Sequence, residues 1–482
     1  MTYASAIRRM YLNLKFAQSD LPITVNQERA LYRAHYSRTH LGFERPFNLI
    51  LSLEMKGQLD IHVLQRALQE LVNRHRILGA VFHPAQCLSE AAIDYAAMKY
   101  ATSGEWTPGV FRHSVLRYCP ISLAIINMDS RDNIDSSLES LGVRELFSPI
   151  PYDDAPLLRP TLVPVGPIRH FLILTISHLI SDAFTLRSIT RELSCLYACL
   201  CTQRHLSDLK RPYQFSQFAL AQRSFLASPL SASPVEYWKA QWNEFEDAAT
   251  PLESFLNPPI GIRASPGQPI SSSSTLSKDI VDRIRKVASK MRATLFMLFL
   301  TCFAIALNRV TNRSRVAIWV NLANRSLPGT QDALGWFVHT HLLGVDLSGC
   351  CDPSEALGKV RRVVLSALRN QCVPTAHLWR IIGRVPAKAN APGSILFDFL
   401  REEMSSPAVD HKADTPVTFT QCGILKKPGA TPMTVDAKIY DRGLFIEFVL
   451  TSNTNVLDSD VLSGLLEQWK QSTFEVLRIA TG

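Results

Sequence analysis

The first half of the chain has a hydrophobic pattern that predicts a buried strand followed by a helix. The apolar run Phe171–Ile176 is long enough for a core strand. A tight turn follows, and from about Thr185 apolar residues recur on one helical face, at Ile189, Leu193, Leu196 and Leu200. Residues 60–78 predict an amphipathic helix with Asp60 as its N-cap. Residues 83–155 have no pattern from which elements can be placed.

The second half of the chain predicts helices and strands in alternation. Helical patterns cover residues around 279–291, 294–309 and 354–369. Alternating apolar residues from Val316 to Val320 predict a strand, and further strands are predicted at 334–347 and Phe445–Leu450. A closing helix turns five apolar side chains inward, those of Leu462, Leu465, Leu466, Trp469 and Leu477.

A Pro- and Ser-rich stretch divides these two halves. Residues 250–275 contain five prolines, two glycines and the run Ser271–Ser274, a composition typical of a linker. We therefore expect a leader at 1–20, a first domain at 21–249 and a second domain at 276–482. Strands and helices in both halves predict the α/β (α+β) class, with mixed sheets layered by helices.

Composition favours a folded protein over a disordered one. Of 482 residues, 46% are hydrophobic and 19% are charged. The longest apolar run, Ala293–Leu307, is too short to span a bilayer comfortably. Arg8 and Arg9 are not followed by the apolar segment of a secretory signal. The ten cysteines are scattered, without a Cys-x-x-Cys pair, so we expect free thiols in the cytoplasm.

The formal net charge of +9 allows several partners. Its basic residues are dispersed and no nucleic-acid-binding module is recognisable, so we expect no nucleic acid. The charge suits an acidic protein partner or a ligand that carries phosphate groups. It is equally compatible with a surface that is merely solubilising.

The turn after the first predicted strand carries the strongest candidate chemistry. His178 stands at the end of the apolar run, and Asp182 follows in the same turn. A neutral imidazole with an ordinary pKa of about 6.5 can accept a proton near neutral pH. The alternatives are that His178 is an ordinary strand-end residue and that Asp182 only caps the following helix.

Other catalytic and metal chemistry has little support. His339 and His341 could share a strand face, but the sequence offers no third ligand, so we expect no metal. Neither a Gly-x-Ser-x-Gly motif nor a phosphate-binding glycine loop is present.

Residues 176–183 resemble the His-His-x-x-x-Asp-Gly signature of condensation domains of nonribosomal peptide synthetases and their acyltransferase relatives. Seven further segments resemble motifs of that family in the same order, and the resemblance extends from about residue 20 to residue 475. They are Pro22–Leu31, Gly57–His75, Ala155–Arg159, Glu236–Lys239, Thr294–Met297, Ala323–Arg325 and Leu334–Thr340.

The resemblance implies two lobes of the chloramphenicol-acetyltransferase type, arranged as a V-shaped pseudo-dimer with the active site at their junction. His178 would deprotonate or orient an acceptor amine or hydroxyl as it attacks a thioester, and Asp182 would pair with an arginine. Five residues of the second half would bind substrate or shape the site. These are Asn324, Arg325, Gly335, which permits close backbone approach, Trp336, which lines a tunnel or fills the core, and His339.

Several positions depart from the family pattern. Ser177 replaces the first signature histidine and Ala183 the glycine. Gly79 stands where the family has an arginine that would pair with Asp182, so Arg325 or Arg74 is the expected substitute. His339 and Gly344 replace an asparagine and an arginine.

We therefore expect a stand-alone condensation enzyme that forms an amide or ester in specialised metabolism. It would act as a monomer, without a cofactor of its own, on an acyl group presented by a carrier protein in trans or by coenzyme A. The carrier's phosphopantetheine arm would enter from one face and a small-molecule or carrier-bound acceptor from the other. Two alternatives remain: a CoA-dependent O-acyltransferase of lipid or polyketide tailoring, and a catalytically silent module that recruits another enzyme.

Overall fold

The computed structural model describes residues 16–44, 46–128, 133–256, 269–383, 393–401, 417–423, 435–454 and 456–479. Most of the predicted leader, residues 1–15, therefore lies outside the described residues, as do residues 257–268 of the predicted linker.

Fourteen strands and twelve α-helices alternate along the described residues. The strands are β1 Phe16–Leu21, β2 Asn48–Gly57, β3 Ala80–Pro84, β4 Phe111–Leu116, β5 Ala124–Ile125, β6 Leu158–Pro164, β7 Arg169–Ser177, β8 Pro269–Leu276, β9 Arg315–Leu322, β10 His339–Asp346, β11 Ile395–Arg401, β12 Val417–Gln421, β13 Val435–Asp441 and β14 Ile446–Asn453. The helices are α1 Val25–His40, α2 Ile61–Arg74, α3 Glu90–Ser103, α4 Ile134–Phe147, α5 Ala183–Cys201, α6 Phe215–Ala227, α7 Ala232–Phe245, α8 Lys278–Lys290, α9 Leu295–Thr311, α10 Pro353–Asn370, α11 Thr375–Ile382 and α12 Ser459–Ile479.

The chain forms two units that do not follow its linear order. The first unit contains residues 1–230, 325–338 and 404–426, and the second contains 231–324, 339–403 and 427–482. Two segments of the second half of the sequence thus belong to the first unit. One of them is the loop that begins at Arg325, and the other contains β12.

The first unit is built on a five-stranded sheet in the order β12-β2-β7-β6-β5 and a three-stranded sheet in the order β1-β4-β3. β7 pairs antiparallel with β2 on one side and β6 on the other. Its residues from His170 to Ser177 are all buried, which explains the uninterrupted apolar run in the sequence. α5 follows and buries Ile189, Leu193 and Leu196, so the predicted strand and helix are confirmed.

The second unit is built on a six-stranded sheet in the order β10-β9-β11-β13-β14-β8. α9 and α12 pack on one face, where Trp469 lies against Phe303 and Phe448. On the other face, Ala317 and Trp319 of β9 pack with residues of α7. β9 is therefore buried on both faces, and the strand predicted from Val316 to Val320 is confirmed.

Two predictions fail in the second half of the chain for physical reasons. Ser271–Ser274, predicted as linker, lie in β8, an edge strand that pairs antiparallel with β14. Backbone pairing holds these serines while their side chains alternate between exposed and half-buried positions. The strand predicted at 334–347 exists only from His339 to Asp346.

The helix predictions agree better with the structure. α2, α8, α9, α10 and α12 each lie where the hydrophobic pattern places a helix. Asp60 caps α2 by accepting hydrogen bonds from the backbone N–H groups of His62 and Val63, as predicted. No individual helix in the described parts of the chain is long and apolar enough to span a membrane, although α8 and α9 together, bent by 100°, meet the length and composition criteria.

Candidate active site

His178 begins a short 3₁₀ turn where β7 ends. Its backbone N–H donates to the carbonyl of Phe47 at 2.7 Å, which ties the turn to the residue before β2. Ser177, which stands where the family signature has its first histidine, is buried in the same turn. Its hydroxyl accepts from the N–H of Leu179 at 3.4 Å, and its carbonyl accepts from the Ser181 hydroxyl at 2.9 Å. Ser177 therefore shapes the turn.

Two aromatic rings enclose the His178 imidazole. Phe47 stacks on it, with 4.7 Å between ring centroids and 12° between ring planes. Trp336 lies on another side at 4.8 Å and 47°. His178 remains half-buried, and Phe47 is 40% exposed. The imidazole is thus partly shielded from water by apolar surfaces but is still reachable.

This environment lowers the pKa of His178 below 6.5. Burial is the largest cause because it disfavours the charged imidazolium, whereas the backbone of His178, the Asp182 carboxylate and the backbone of Ser181 act in the opposite direction. Nδ1 is enclosed and makes no hydrogen bond of normal geometry with any described residue, while Nε2 stays accessible. Burial therefore favours the neutral ring, in which one nitrogen can accept a proton.

Asp182 is buried and its carboxylate is fully used inside the protein. Oδ1 accepts from the N–H of Thr185 at 2.8 Å and from Nη2 of Arg325 at 2.8 Å. Oδ2 accepts from the N–H of Phe337 at 3.0 Å and from that of Val338 at 3.4 Å. Asp182 thus caps α5, pairs with an arginine and fastens the segment that carries Trp336.

Arg325, and not Arg74, is the partner of Asp182. Its other amino group, Nη1, donates to the carbonyls of Thr330 and Ala333, each at 2.7 Å. Arg325 is buried, with its guanidinium 4.2 Å from the centre of the Phe337 ring. Arg74 is engaged elsewhere, by Glu192 at 2.7 Å. These contacts give Arg325 a structural role, and substrate binding by it stays a prediction.

Gly335 lies in close contact with Phe215 at the start of α6, so the prediction that this glycine permits close backbone approach is confirmed. Its φ of +147° is unfavourable for other residues, and a Cβ at this position would lie 1.9 Å from the Phe215 ring. Its N–H donates to the Thr185 hydroxyl at 3.1 Å, and its carbonyl accepts from that hydroxyl at 2.8 Å. Thr185 thereby fixes the backbone immediately before Trp336.

Residues of the first family motif, Pro22–Leu31, bind both the turn that contains His178 and the segment that contains Trp336. Gln27 donates through Nε2 to the carbonyl of Leu179 at 2.7 Å, and Asn26 donates to the carbonyl of Val338 at 2.9 Å. Gln27 also completes a capping box with Thr24 at the start of α1. Sequence reasoning missed the roles of Asn26, Gln27 and Phe47. The Thr-x-x-Gln pattern could have indicated the cap but not the distant contacts.

Comparison with known proteins places this geometry in a family. The model of the condensation domain family matches residues 97–400, which is more than half of the chain. This chain belongs to the condensation domain family. The predicted fold class is also confirmed, because the structure matches the condensation domain of the monacolin K polyketide synthase MokA. That match has a TM-score of 0.73 at 18% identity and covers 96% of this chain and 97% of the other.

The curated relatives of this condensation domain are much longer proteins. Malpinin synthetase of Mortierella alpina is 27% identical over 361 residues, which are 74% of this chain and 4% of the relative. The dimodular nonribosomal peptide synthase of Bacillus subtilis is 26% identical over 414 residues, which are 82% of this chain and 16% of the relative. The chain therefore spans only a small part of these relatives.

Asn324 and His339 lie together in the second unit of the condensation domain. Asn324 donates its backbone N–H to Oε1 of Gln371 at 2.9 Å, and Nδ1 of His339 donates to the Gln371 carbonyl at 2.9 Å. Burial lowers the pKa of His339 to about 4, so its ring is neutral at pH 7. Both residues thus belong to a buried hydrogen-bonded group, and their binding of substrate stays a prediction.

The two glycine departures have a packing explanation. A Cβ on Gly344 would lie 2.1 Å from the Phe245 ring, so the phenyl group fills the space that a longer side chain would need. A Cβ on Gly79 would lie 3.0 Å from Cβ of Cys119. An arginine at either position would force its neighbours to move.

His341, like His339, makes its contacts within the second unit. His341 stacks on Trp238 with 3.9 Å between ring centroids, and Thr375 lies within 3.1 Å of its Nδ1. No set of three or more His, Cys, Asp or Glu side chains in the described portion of the chain is arranged to hold a metal ion.

Proposed function

We propose that this condensation domain transfers an acyl group from a phosphopantetheine thioester to an amine or hydroxyl, with His178 as the general base. The observation that carries the proposal is the environment of His178. Its imidazole lies between Phe47 and Trp336, remains half-buried, and has a pKa that burial lowers, which favours the neutral form. A base of this kind contributes about 10²–10⁴-fold to the rate.

The chemistry requires one proton relay and no change of redox state. The acceptor nitrogen or oxygen attacks the thioester carbonyl carbon, a C–N or C–O bond forms, and the acceptor proton moves to Nε2 of His178. The C–S bond then breaks, and the proton passes from His178 to the departing sulfur. Amide or ester and free thiol are released, and the imidazole returns to its neutral form.

A carrier protein is the proposed source of the thioester. Condensation domains work with carrier-bound substrates, and the curated relatives of this chain are synthetases of which it covers 4% to 16%. A net charge of +9 favours encounter with an acidic carrier domain. We propose that the carrier acts in trans, with coenzyme A as the alternative donor.

Acyl transfer by wild type, His178→Ala and the matched control His62→Ala tests this proposal. His62 is an exposed histidine of α2. The acyl donors are acetyl, hexanoyl and benzoyl groups, each loaded on a carrier protein and, separately, on coenzyme A. The acceptors are a panel of amines and alcohols. Mass spectrometry identifies the products. We expect His178→Ala to lose about 10²–10⁴-fold in rate and His62→Ala to match wild type.

The same experiment tests the recruitment alternative, which the replacement of the first signature histidine by Ser177 favours. A wild-type protein without transfer on any donor would support recruitment. Turnover by folded His178→Ala within about threefold of wild type would overturn the role of His178 as base.

A further inference from the structure

A cavity of about 430 Å³ lies in the first unit, and none of His178, Phe47 and Trp336 lines it. Its walls come from the end of α2, the turn after α2 and the segment leading into α6. The lining side chains include three arginines and four carboxamides, those of Arg74, Arg76, Arg211, Gln18, Asn73, Gln214 and Gln217. We call this cavity the arginine pocket.

Hydrogen bonds fix the walls of the arginine pocket. Gln214 donates to the carbonyl of Arg74 at 3.0 Å and accepts from the backbone N–H of Arg76 at 3.1 Å. Arg74 donates through Nη2 to the Lys210 carbonyl at 2.7 Å. The two segments that face each other across the pocket are thus joined by three direct contacts. The pocket is therefore part of the packed unit rather than a gap between independent side chains.

The lining of the arginine pocket carries positive charge and contains no carboxylate. Every charged residue in its lining is an arginine. Glu192 offsets Arg74 at 2.7 Å, but among the described residues no carboxylate forms an ion pair with Arg76 or Arg211. Both of these side chains are exposed at the mouth. Two positive charges and several amide donors therefore face the cavity.

We propose that the arginine pocket binds a phosphate ester, and that this ester belongs to the phosphopantetheine moiety of the acyl donor. Guanidinium groups match the several oxygens of a phosphate group, which carries about −1 charge as the diester of a loaded carrier and up to about −2 as the monoester of free 4′-phosphopantetheine. A cavity of about 430 Å³ falls within the range of small-molecule sites and holds more than an isolated phosphate ion.

The choice of phosphopantetheine rests on the proposed function, and the packing agrees with it. Phe215, the residue after Gln214, packs directly on Gly335, and the next residue, Trp336, contacts His178. The arginine pocket and the imidazole are thus linked through neighbouring residues of one unit. Occupation of the pocket would anchor the donor at its phosphate while its thioester remains free to reach the base.

Calorimetric titration at low ionic strength tests the arginine pocket without requiring turnover. The ligands are 4′-phosphopantetheine, pantetheine, inorganic phosphate and coenzyme A. We expect 4′-phosphopantetheine to bind at least about tenfold more tightly than pantetheine, because only the former offers charge-assisted hydrogen bonds. Tighter binding of coenzyme A would indicate that nucleotide phosphates are the source. Equal binding would indicate the phosphate on the pantetheine side.

Variants locate the binding to the arginine pocket. Arg76→Gln/Arg211→Gln, and Arg211→Gln as a milder change, should lose the advantage of the phosphorylated ligand. Arg283→Gln, which removes an exposed charge of α8, should keep it. Equal binding of pantetheine and 4′-phosphopantetheine to wild type, or an equal loss in Arg283→Gln, would overturn the proposal.

The variant His178→Ala separates the two proposals. It should bind 4′-phosphopantetheine like wild type although acyl transfer is lost. If only the proposed function is wrong, wild type still binds 4′-phosphopantetheine through the arginine pocket. If only the pocket proposal is wrong, Arg76→Gln/Arg211→Gln still transfers acyl groups at the wild-type rate at a subsaturating donor concentration.

Discussion

Phe47 covers one face of the His178 imidazole, and this contact yields a prediction for the proton affinity of the ring. Burial is the main cause of the lowered pKa, so removing part of the aromatic cover should let water stabilise the imidazolium. We expect NMR titration to give His178 a pKa below about 6.5 in wild type and a higher pKa in Phe47→Leu. A wild-type pKa above 6.5 would contradict the described environment.

Removing either Asp182 or Arg325 should strongly lower the free energy of unfolding. Both side chains are buried, at 2% and 8% exposure, so either alone leaves a buried charge without its partner. Asp182→Ala should cost about 3–5 kcal/mol of unfolding free energy. Denaturant unfolding of Asp182→Ala, Arg325→Met and the double variant measures the coupling. Strictly additive losses would show that the two residues do not act as a pair.

The sequence predicts site residues correctly where they are close together in the chain. His178 and Asp182 are separated by one turn, and their segment resembles a family signature. The partner of Asp182 lies 143 positions away, so the sequence left both Arg325 and Arg74 open. Phe47 was missed because its contact with His178 joins segments that are distant in the chain. Such contacts depend on strand order, which hydrophobic periodicity does not specify.

The Gly335 segment, residues 334–338, should tolerate no side chain at its glycine. Gly335→Ala must place a methyl group where the Phe215 ring lies and must hold a φ of +147°. We expect a loss of about 1–3 kcal/mol from backbone strain, with further loss from overpacking, and slower acyl transfer because Trp336 moves. Gly358→Ala is the matched control. It lies in α10 with no atom near its Cβ and should be neutral or stabilising by up to about 1 kcal/mol. Equal melting temperatures for Gly335→Ala and wild type would contradict this account.

Elements were predictable where burial and periodicity agree. α9 is apolar enough, and α8 and α10 are amphipathic enough, for their helices to be placed from the pattern. The Pro-, Gly- and Ser-rich composition that includes β8 predicts a linker, yet the backbone of β8 pairs with β14. Residues 334–338 are apolar because they pack around the site in the first unit, not because they extend β10. Edge pairing and long-range packing therefore override local composition in both segments.

At the scale of the whole molecule, the first unit depends on segments from the second half of the chain. A fragment of residues 1–249 would lack Arg325, which pairs with Asp182, and β12, which pairs with β2. Since a folded domain is stable by only about 5–15 kcal/mol, we expect this fragment to show no cooperative melting by circular dichroism, unlike the full chain. A fragment with the melting temperature of the full chain would show that the first unit does not need these segments.

The pH dependence of kcat/KM tests the central claim most directly, that neutral His178 is the base. Activity should be lost as pH falls through the lowered pKa of His178, because protonation occupies Nε2. The acid limb should therefore lie below about pH 6.5 in wild type and move upward in Phe47→Leu by the same amount as the pKa measured by NMR. An acid limb that stays at the same pH in both proteins, while the NMR pKa of His178 changes, would contradict the assignment.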